Sequence, residues 1–193
     1  MIQVNANLFA RVAVAQSTDP ARYYLNGVCI QPHPRGEGST MVATDGNILI
    51  AAHDPDGVPP VPAAGFIVNL GKDGLKAARK GKTVLIDLDT GEARVDSVWR
   101  SASSVLIDGN YADWRRVLPS GDLIATGAAF DVKLLSRLGD ALTNWRKSAH
   151  GLALRGADDT GPHVVACGSP DARLFGICMP IRTEPAVSLP AWL

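Results

Sequence analysis

The chain has 193 residues, enough for one or two domains with a buried core, which excludes the small scaffolds that need disulfide or metal staples. Lys plus Arg number 19 and Asp plus Glu number 19, so attraction to a polyanion has to come from a local patch and not from the molecule as a whole. Hydrophobic residues at 46% and charged residues at 20% exclude a disordered or fibrous chain, while 19 Gly and 13 Pro point to short strands joined by many tight turns.

No apolar run approaches the roughly 18 residues of a membrane helix. The segment MIQVNANLFARV lacks the basic stretch and long apolar run of a signal peptide, so a soluble, cytoplasmic protein without a membrane partner is expected. Cys29, Cys167 and Cys178 are odd in number, widely spaced and without a CxxC pair, which suits small buried hydrophobes in a reducing compartment.

Taken in chain order, one pattern of elements occurs three times. The first unit, 1–54, opens with a short extended stretch (Ile2 to Val4) and an apolar helical segment around Leu8, Phe9, Val12 and Ala13. Three strand-like runs follow, YYLNGVCI, MVATDGN and ILIAAHD, separated by turn residues, with RGEGST as a hairpin loop. The Pro-rich DPDGVPPVPAA cannot run through a central strand and marks a boundary. The second unit, 65–119, runs from FIVNL through the helical GKDGLKAARKGK to TVLIDLD, EARVDSVW and SASSVLID, with a hairpin turn at Thr90-Gly91.

The third unit, 120–183, starts at LIATGAAF and enters a helix expected to begin at Asp131 or the residue before it and to reach about Lys147. Leu134, Leu138, Ala141, Leu142 and Trp145 share one side; Lys133, Arg137, Asp140, Asn144 and Lys147 share another. HGLALRG, HVVACG and ARLFGICMPIR supply three more strands, and the Pro-broken tail 184–193 is expected to leave the sheet. Two complete units form one domain (1–119) and the third is half a domain. The fold class is α+β, with helices on one face of antiparallel sheets.

Cations concentrate on the second helix: Lys72, Lys76, Arg79, Lys80 and Lys82 stand against Asp73 alone. Such a helix reads either as part of a nucleic-acid surface or as an ordinary solvated face. Enzymatic signatures are missing. His33, His53, His150 and His163 are scattered and read as surface or strand-end residues, no metal-ligand spacing occurs, and no phosphate loop or nucleophile motif is present. No catalysis, cofactor or metal is expected.

Three segments in order, ARYYLNGVCI with MVATDGNILIAAHD, then LIDGNYADWRRVLPS, then GICMPIR, resemble the bacterial DNA sliding clamp, the beta subunit of DNA polymerase III, over about residues 5 to 183. The resemblance covers one and a half clamp domains of the family's three. It implies the clamp architecture of strand-helix-three-strand units, with helices lining a hole through which duplex DNA passes and sheets forming the outer wall. Phosphate attraction without base reading then gives sequence-independent, salt-dependent binding. The lining candidates are Arg11, Lys72, Lys76, Arg79, Lys80, Lys82, Lys133, Arg137, Arg146 and Lys147, with Asp140 a departure that weakens local contact.

The resemblance also implies a groove for the hydrophobic linear motifs of a DNA polymerase or other partner proteins. Arg22, Tyr24, Leu25, Thr44, Gly46, Asn47, Leu49, Arg116, Val117, Ile177, Met179, Pro180, Ile181 and Arg182 match it. Asn47 and Ile48 replace the family's His-Arg pair, Ala112 a proline and Trp114 a tyrosine. The same residues also have a structural reading, as a turn (TDG), as core (Trp114, Val117) and as a sheet end (MPIR). Three units leave one without a mate, so two third units are expected to pair about a twofold axis. Twelve units per family ring then give a closed tetramer, with a clamp loader as a further possible partner. The alternative is a clamp-derived adaptor or decoy that keeps the groove without encircling DNA. The tail VSLPAWL resembles the apolar end of a clamp-binding peptide, with packing on the outer wall or free movement as its other readings.

Overall fold

The computed structural model describes residues 1–59, 65–95, 101–102, 104–122, 124–125, 127–145, 151–167 and 173–182. The repeated order is present. The first unit is β1 (Ile2–Asn5), α1 (Ala6–Val12), β2 (Val28–Pro32), β3 (Ser39–Thr44) and β4 (Ile48–Asp54). The second is β5 (Phe66–Asn69), α2 (Gly71–Ala78), β6 (Thr83–Ile86), β7 (Ala93–Val95), β8 (Ser101–Ala102) and β9 (Val105–Ile107). The third is β10 (Ile124–Ala125), α3 (Val132–Leu142), β11 (Leu152–Gly156), β12 (His163–Cys167) and β13 (Leu174–Cys178).

The starts of α1 and α3 follow side-chain capping. The Asn5 carboxamide accepts from the Leu8 N–H at 3.0 Å and the Asp131 carboxylate from the Lys133 N–H at 2.7 Å, each satisfying a donor that a helix start leaves open. The end of α3 comes earlier than the expected Lys147. Asn144 and Trp145 have φ of 55° and 53°, a left-handed backbone that cannot continue the helix, and the Trp145 N–H donates back to the Asp140 carbonyl. The turn brings the Trp145 ring onto the core.

Two further expectations are corrected. YYLNGVCI is not one strand: Pro20–Leu25 form a short 3-10 turn and β2 begins only at Val28. The Asp19 carboxylate accepts from the Ala21 N–H, and Pro20 at the first position favours the turn. SASSVLID likewise splits into β8, on one sheet, and β9, on the other.

The first two units exchange their leading strands. β1 pairs with β6, giving a four-stranded sheet β1-β6-β7-β8, while β5 pairs with β2. The larger sheet has the order β10-β11-β12-β13-β4-β3-β2-β5-β9. The third unit joins the first through the antiparallel β4–β13 pair, with Gly176 opposite Ile50 and Ile177 opposite Leu49. Helices α2, α1 and α3 touch in that order, α1 against both others.

Alternation along the strands sends side chains to two different cores. Val28 and Ile30 of β2, Met41 and Ala43 of β3, and Ile48 and Ile50 of β4 face the helices in one continuous cluster that also holds Phe9, Leu138 and Leu142. Cys29, Val42, Leu49 and Ala51, with Ile177 of β13, face the opposite way, where Trp114 and Tyr111 pack against them. Burial on both faces explains the nearly unbroken apolar run in β3 and β4. No helix among the described residues is long and apolar enough to cross a membrane.

All three cysteines are buried, and burial pushes the Cys29 thiol up to about 12 and the Cys178 thiol to about 11. Only thiolates react readily, so the native protein at pH 8 is expected to show no fast thiol reaction with a chromogenic disulfide reagent, and all three thiols after denaturation.

Candidate functional site

On the face of the large sheet away from the helices, a pocket of about 190 Å³ opens where the three units meet. The hairpin between β3 and β4 forms one wall with Thr44, Gly46, Asn47, Ile48 and Leu49. The segment after β9 forms a second with Ala112, Asp113, Trp114 and Val117, the third unit supplies Ile177 and Met179, and Leu25 closes a side. The hairpin is fixed by its own polar atoms. Asp45 Oδ1 accepts from the Asn47 and Ile48 N–H groups at 2.9 and 3.0 Å, and the Thr44 hydroxyl donates to the Ile48 carbonyl. Gly46 has φ of 93°, and a side chain there would also run into the Arg22 guanidinium at 2.8 Å. The Met179 N–H donates to the Asn47 carbonyl at 2.9 Å, which sets Met179 beside the hairpin.

A polar cleft of about 560 Å³ adjoins this pocket and shares Asn47 with it. Two arginines and two aspartates line it. Arg22 bonds the Asp19 carboxylate at 3.0 Å and the Asp45 carbonyl at 3.0 Å; Arg137 bonds Asp45 Oδ2 at 2.6 Å. The Ala21 N–H and the Arg22 guanidinium hold the Asp19 carboxyl below its usual range. An apolar pocket beside a charge-balanced polar cleft fits an extended segment with bulky apolar residues at one end and hydrogen-bonding backbone at the other.

The structure thus brings Leu25, Thr44, Gly46, Asn47, Leu49, Val117, Ile177 and Met179 of the expected groove set to one pocket, with Arg22 in the adjoining cleft. Tyr24 stands outside both and packs edge-on against Tyr23. Arg116 is exposed and paired with Asp113, while Pro180, Ile181 and Arg182 follow Met179 without lining the pocket. Trp114 lines it and is itself buried, so its pocket and core readings both hold.

The expected cationic lining divides. Lys72, Lys76, Arg79, Lys80, Lys82 and Lys133 are exposed, with the Arg79 guanidinium lying 4.2 Å over the Trp145 ring. Arg146 and Lys147 lie outside the described residues. Arg11 is corrected: it is only 4% exposed, and Nε and Nη2 donate to the Ala141 and Leu142 carbonyls at 2.7 and 2.9 Å. Its charge caps the carbonyl end of α3, where helix carbonyls lack internal partners and the helix dipole is negative. Arg137 does the reverse, donating to the Val14 carbonyl at 2.8 Å beyond α1 while pairing with Asp45. Both arginines belong to the joint between the first and third units.

His163 takes the strand-end reading and not the surface one. It begins β12 as a strand-end residue but is fully buried, packed edge-on against Phe130 and bonded through Nδ1 to the Gly161 carbonyl. Among the described residues no group of three or more His, Cys, Asp or Glu is placed to hold a metal ion.

No family model matches the chain. Among curated proteins it is similar to the beta sliding clamps of two strains of Caulobacter vibrioides, each 31% identical over 119 residues, 58% of this chain and 32% of the relative. Among solved structures it is similar to the Caulobacter crescentus beta sliding clamp (TM-score 0.65, 20% identity) and to the Bartonella birtlesii sliding clamp bound to griselimycin (0.65, 20%). A DNA polymerase sliding clamp from Pseudomonas aeruginosa is similar too (0.67, 17%). Each superposition covers 94% of this chain and 65% of the other, so the likeness is one of fold over less than two thirds of a clamp polypeptide.

The two kinds of cation separate in a stability measurement. Arg11→Ala is expected to lower the unfolding free energy in urea by about 3 kcal/mol, through loss of charged hydrogen bonds to buried carbonyls, and Lys72→Ala by less than about 0.5 kcal/mol.

Proposed function

We propose that this chain, which shares the fold of the bacterial beta sliding clamps over part of their length, is a non-enzymatic, cytoplasmic processivity factor. It encircles duplex DNA as a homo-oligomeric ring and tethers a polymerase or other proteins through the three-walled groove. The carrying observation is that pocket, in which the hairpin, the segment after β9 and the strand end at Met179 converge although they are remote in sequence. We divide the chain as 1–119, a complete clamp domain, 120–183, a half domain, and the tail 184–193.

The order α2-α1-α3 supports a common helix-bearing surface, and the exposed Lys72, Lys76, Lys80 and Lys82 give it positive charge for phosphates. Four chains of three units make the twelve units of a clamp ring, and a closed ring of that size calls for a loader or for spontaneous opening at a joint. Ring closure is read directly on nicked circular plasmid. The protein is expected to stay bound through gel filtration and to slip off after linearisation. Loss from both forms leaves the second reading, a clamp-derived adaptor or decoy, which the burial of Arg11 and the pairing of Arg137 favour by removing two cations from the helical surface.

Peptide docking is tested separately. Met179→Glu puts a charge at the edge of an apolar pocket and is expected to weaken binding of a fluorescent hydrophobic-motif peptide about tenfold or more in an anisotropy titration. Arg116→Ala, outside the pocket, is expected to change it less than about threefold.

A further inference from the structure

The charged groups around the pocket and its adjoining cleft occur as matched pairs. Asp113 lines the pocket, and Asp19, Arg22, Asp45 and Arg137 line the cleft. Each is bonded to an opposite charge. Arg22 Nε meets Asp19 Oδ2 at 3.0 Å and Arg137 Nη1 meets Asp45 Oδ2 at 2.6 Å, while Asp113 Oδ2 receives Nε of Arg116 at 3.1 Å from outside the pocket. The hairpin residues at the boundary, Asn47 and Ile48, are uncharged.

Arg22 holds the decisive place among these groups. Its guanidinium reaches the hairpin, where Nη1 donates to the Asp45 carbonyl at 3.0 Å and lies 2.8 Å from the point a Cβ on Gly46 would occupy. Gly46 lines the apolar pocket, so this cation stands where pocket and cleft meet. Asp19 is held against it by local structure. Its Oδ1 accepts from the Ala21 N–H at 2.9 Å, which starts the turn Pro20–Leu25, and Oδ2 is thereby set toward Arg22 one turn later. Both side chains are about two-fifths exposed, 43% for Arg22 and 40% for Asp19, so the pair faces the open cleft and a docked segment would meet it.

We propose that the groove selects partner segments whose apolar core has uncharged flanks, and that Asp19 sets this selectivity by occupying Arg22. The inference rests on the docking reading of the groove and names the class of segment it takes. An acidic flank finds Arg22 and Arg137 already paired and is repelled by Asp19 and Asp45; a basic flank finds those carboxylates paired and is repelled by the arginines. Either sign loses hydration without gaining a free counter-charge. Apolar burial and backbone hydrogen bonds then carry the affinity, so docking is insensitive to salt, whereas phosphate binding by the exposed lysines of α2 is not.

The test uses the full chain and fluorescein-labelled peptides that share the core Leu-Ala-Leu-Phe and carry Ser-Ser, Glu-Glu or Lys-Lys on both sides of it. In anisotropy titrations the Ser peptide is expected to bind at least as tightly as the other two, with a dissociation constant that changes less than about twofold between about 20 mM and about 300 mM salt. Asp19→Asn removes the charge and keeps the cap, since an asparagine oxygen accepts from the Ala21 N–H as the carboxylate does. This variant is expected to tighten the Glu peptide about fivefold or more at low salt, to lose that gain at about 300 mM, and to leave the Ser peptide within about twofold. Adding Arg22→Gln to Asp19→Asn is expected to abolish the gain. A parent that prefers the Glu peptide, or an Asp19→Asn variant with no acidic preference, overturns the proposal. Met179→Glu tells the two failures apart. Peptides that it weakens, but whose charge preference ignores Asp19, remove the selectivity and leave the groove standing. Peptides that fail to bind, or that bind regardless of Met179→Glu, remove the groove and this inference with it.

Discussion

The reciprocal arginine contact between the first and third units is the constraint on which the rest depends. Each helix ends with carbonyls that have no partner within the helix, and each supplies an arginine to the other: Arg11 to Ala141 and Leu142, Arg137 to Val14. The β4–β13 pairing is the sheet-level half of the same joint, and its antiparallel sense matches helices that cap one another head to tail. Backbone hydrogen bonds alone would let a strand slip along its neighbour. Two buried or half-buried guanidinium groups that must reach particular carbonyls set the register, since an unpaired cation or carbonyl there carries the full desolvation penalty.

That register makes the groove. Ile177 and Met179 face Leu49 and Asn47 only because Ile177 lies opposite Leu49 in the β4–β13 pair, and a slip of one residue would turn Ile177 toward the helices. Asp45 couples the two structures through its two oxygens: Oδ1 fixes the hairpin that walls the pocket, and Oδ2 receives Arg137 from α3. The pocket and the joint between units therefore share one carboxylate. Loosening the joint loosens the wall, so substitutions at Arg137 act on the pocket without touching it.

Much of this was legible in the sequence because it is local. The N-cap at Asp131, the turn at Thr90-Gly91, the thrice-repeated element order and the TDG hairpin all rest on contacts within a few residues. The pocket residues were found through their match to a family pattern, which records distant contacts that spacing alone does not show. Arg11 and Arg137 were misplaced because an arginine on an amphipathic helix reads as exposed, whereas the carbonyls that hold Arg11 lie some 130 residues away in sequence. The strand expected at YYLNGVCI is interrupted for a local reason: Asp19-Pro20 starts a capped turn, which holds the aromatic run out of the sheet until Val28. The early end of α3 has one local signal, Asn144, since asparagine tolerates the left-handed backbone at a helix end better than other non-glycine residues, while Trp145 carries none.

The repeat itself supplies what single residues do not. Arg11 follows its N-cap Asn5 by six residues, and Arg137 follows Asp131 by six. The position is therefore one where a helix presents a cation to a neighbouring unit. In α2, six residues after Leu70, it is occupied by Lys76, which is exposed. Lysine differs from arginine here in chemical kind: a flexible, strongly hydrated point charge replaces the planar fork that reached two carbonyls at once from Arg11. A position shared by three helices thus carries a cation in all three, with the rigid donor at the two sites where it reaches carbonyls of another unit and the hydrated one where the position is open to solvent. Cations that carry the same sequence signal divide into structural and solvent-facing groups by what lies across from them.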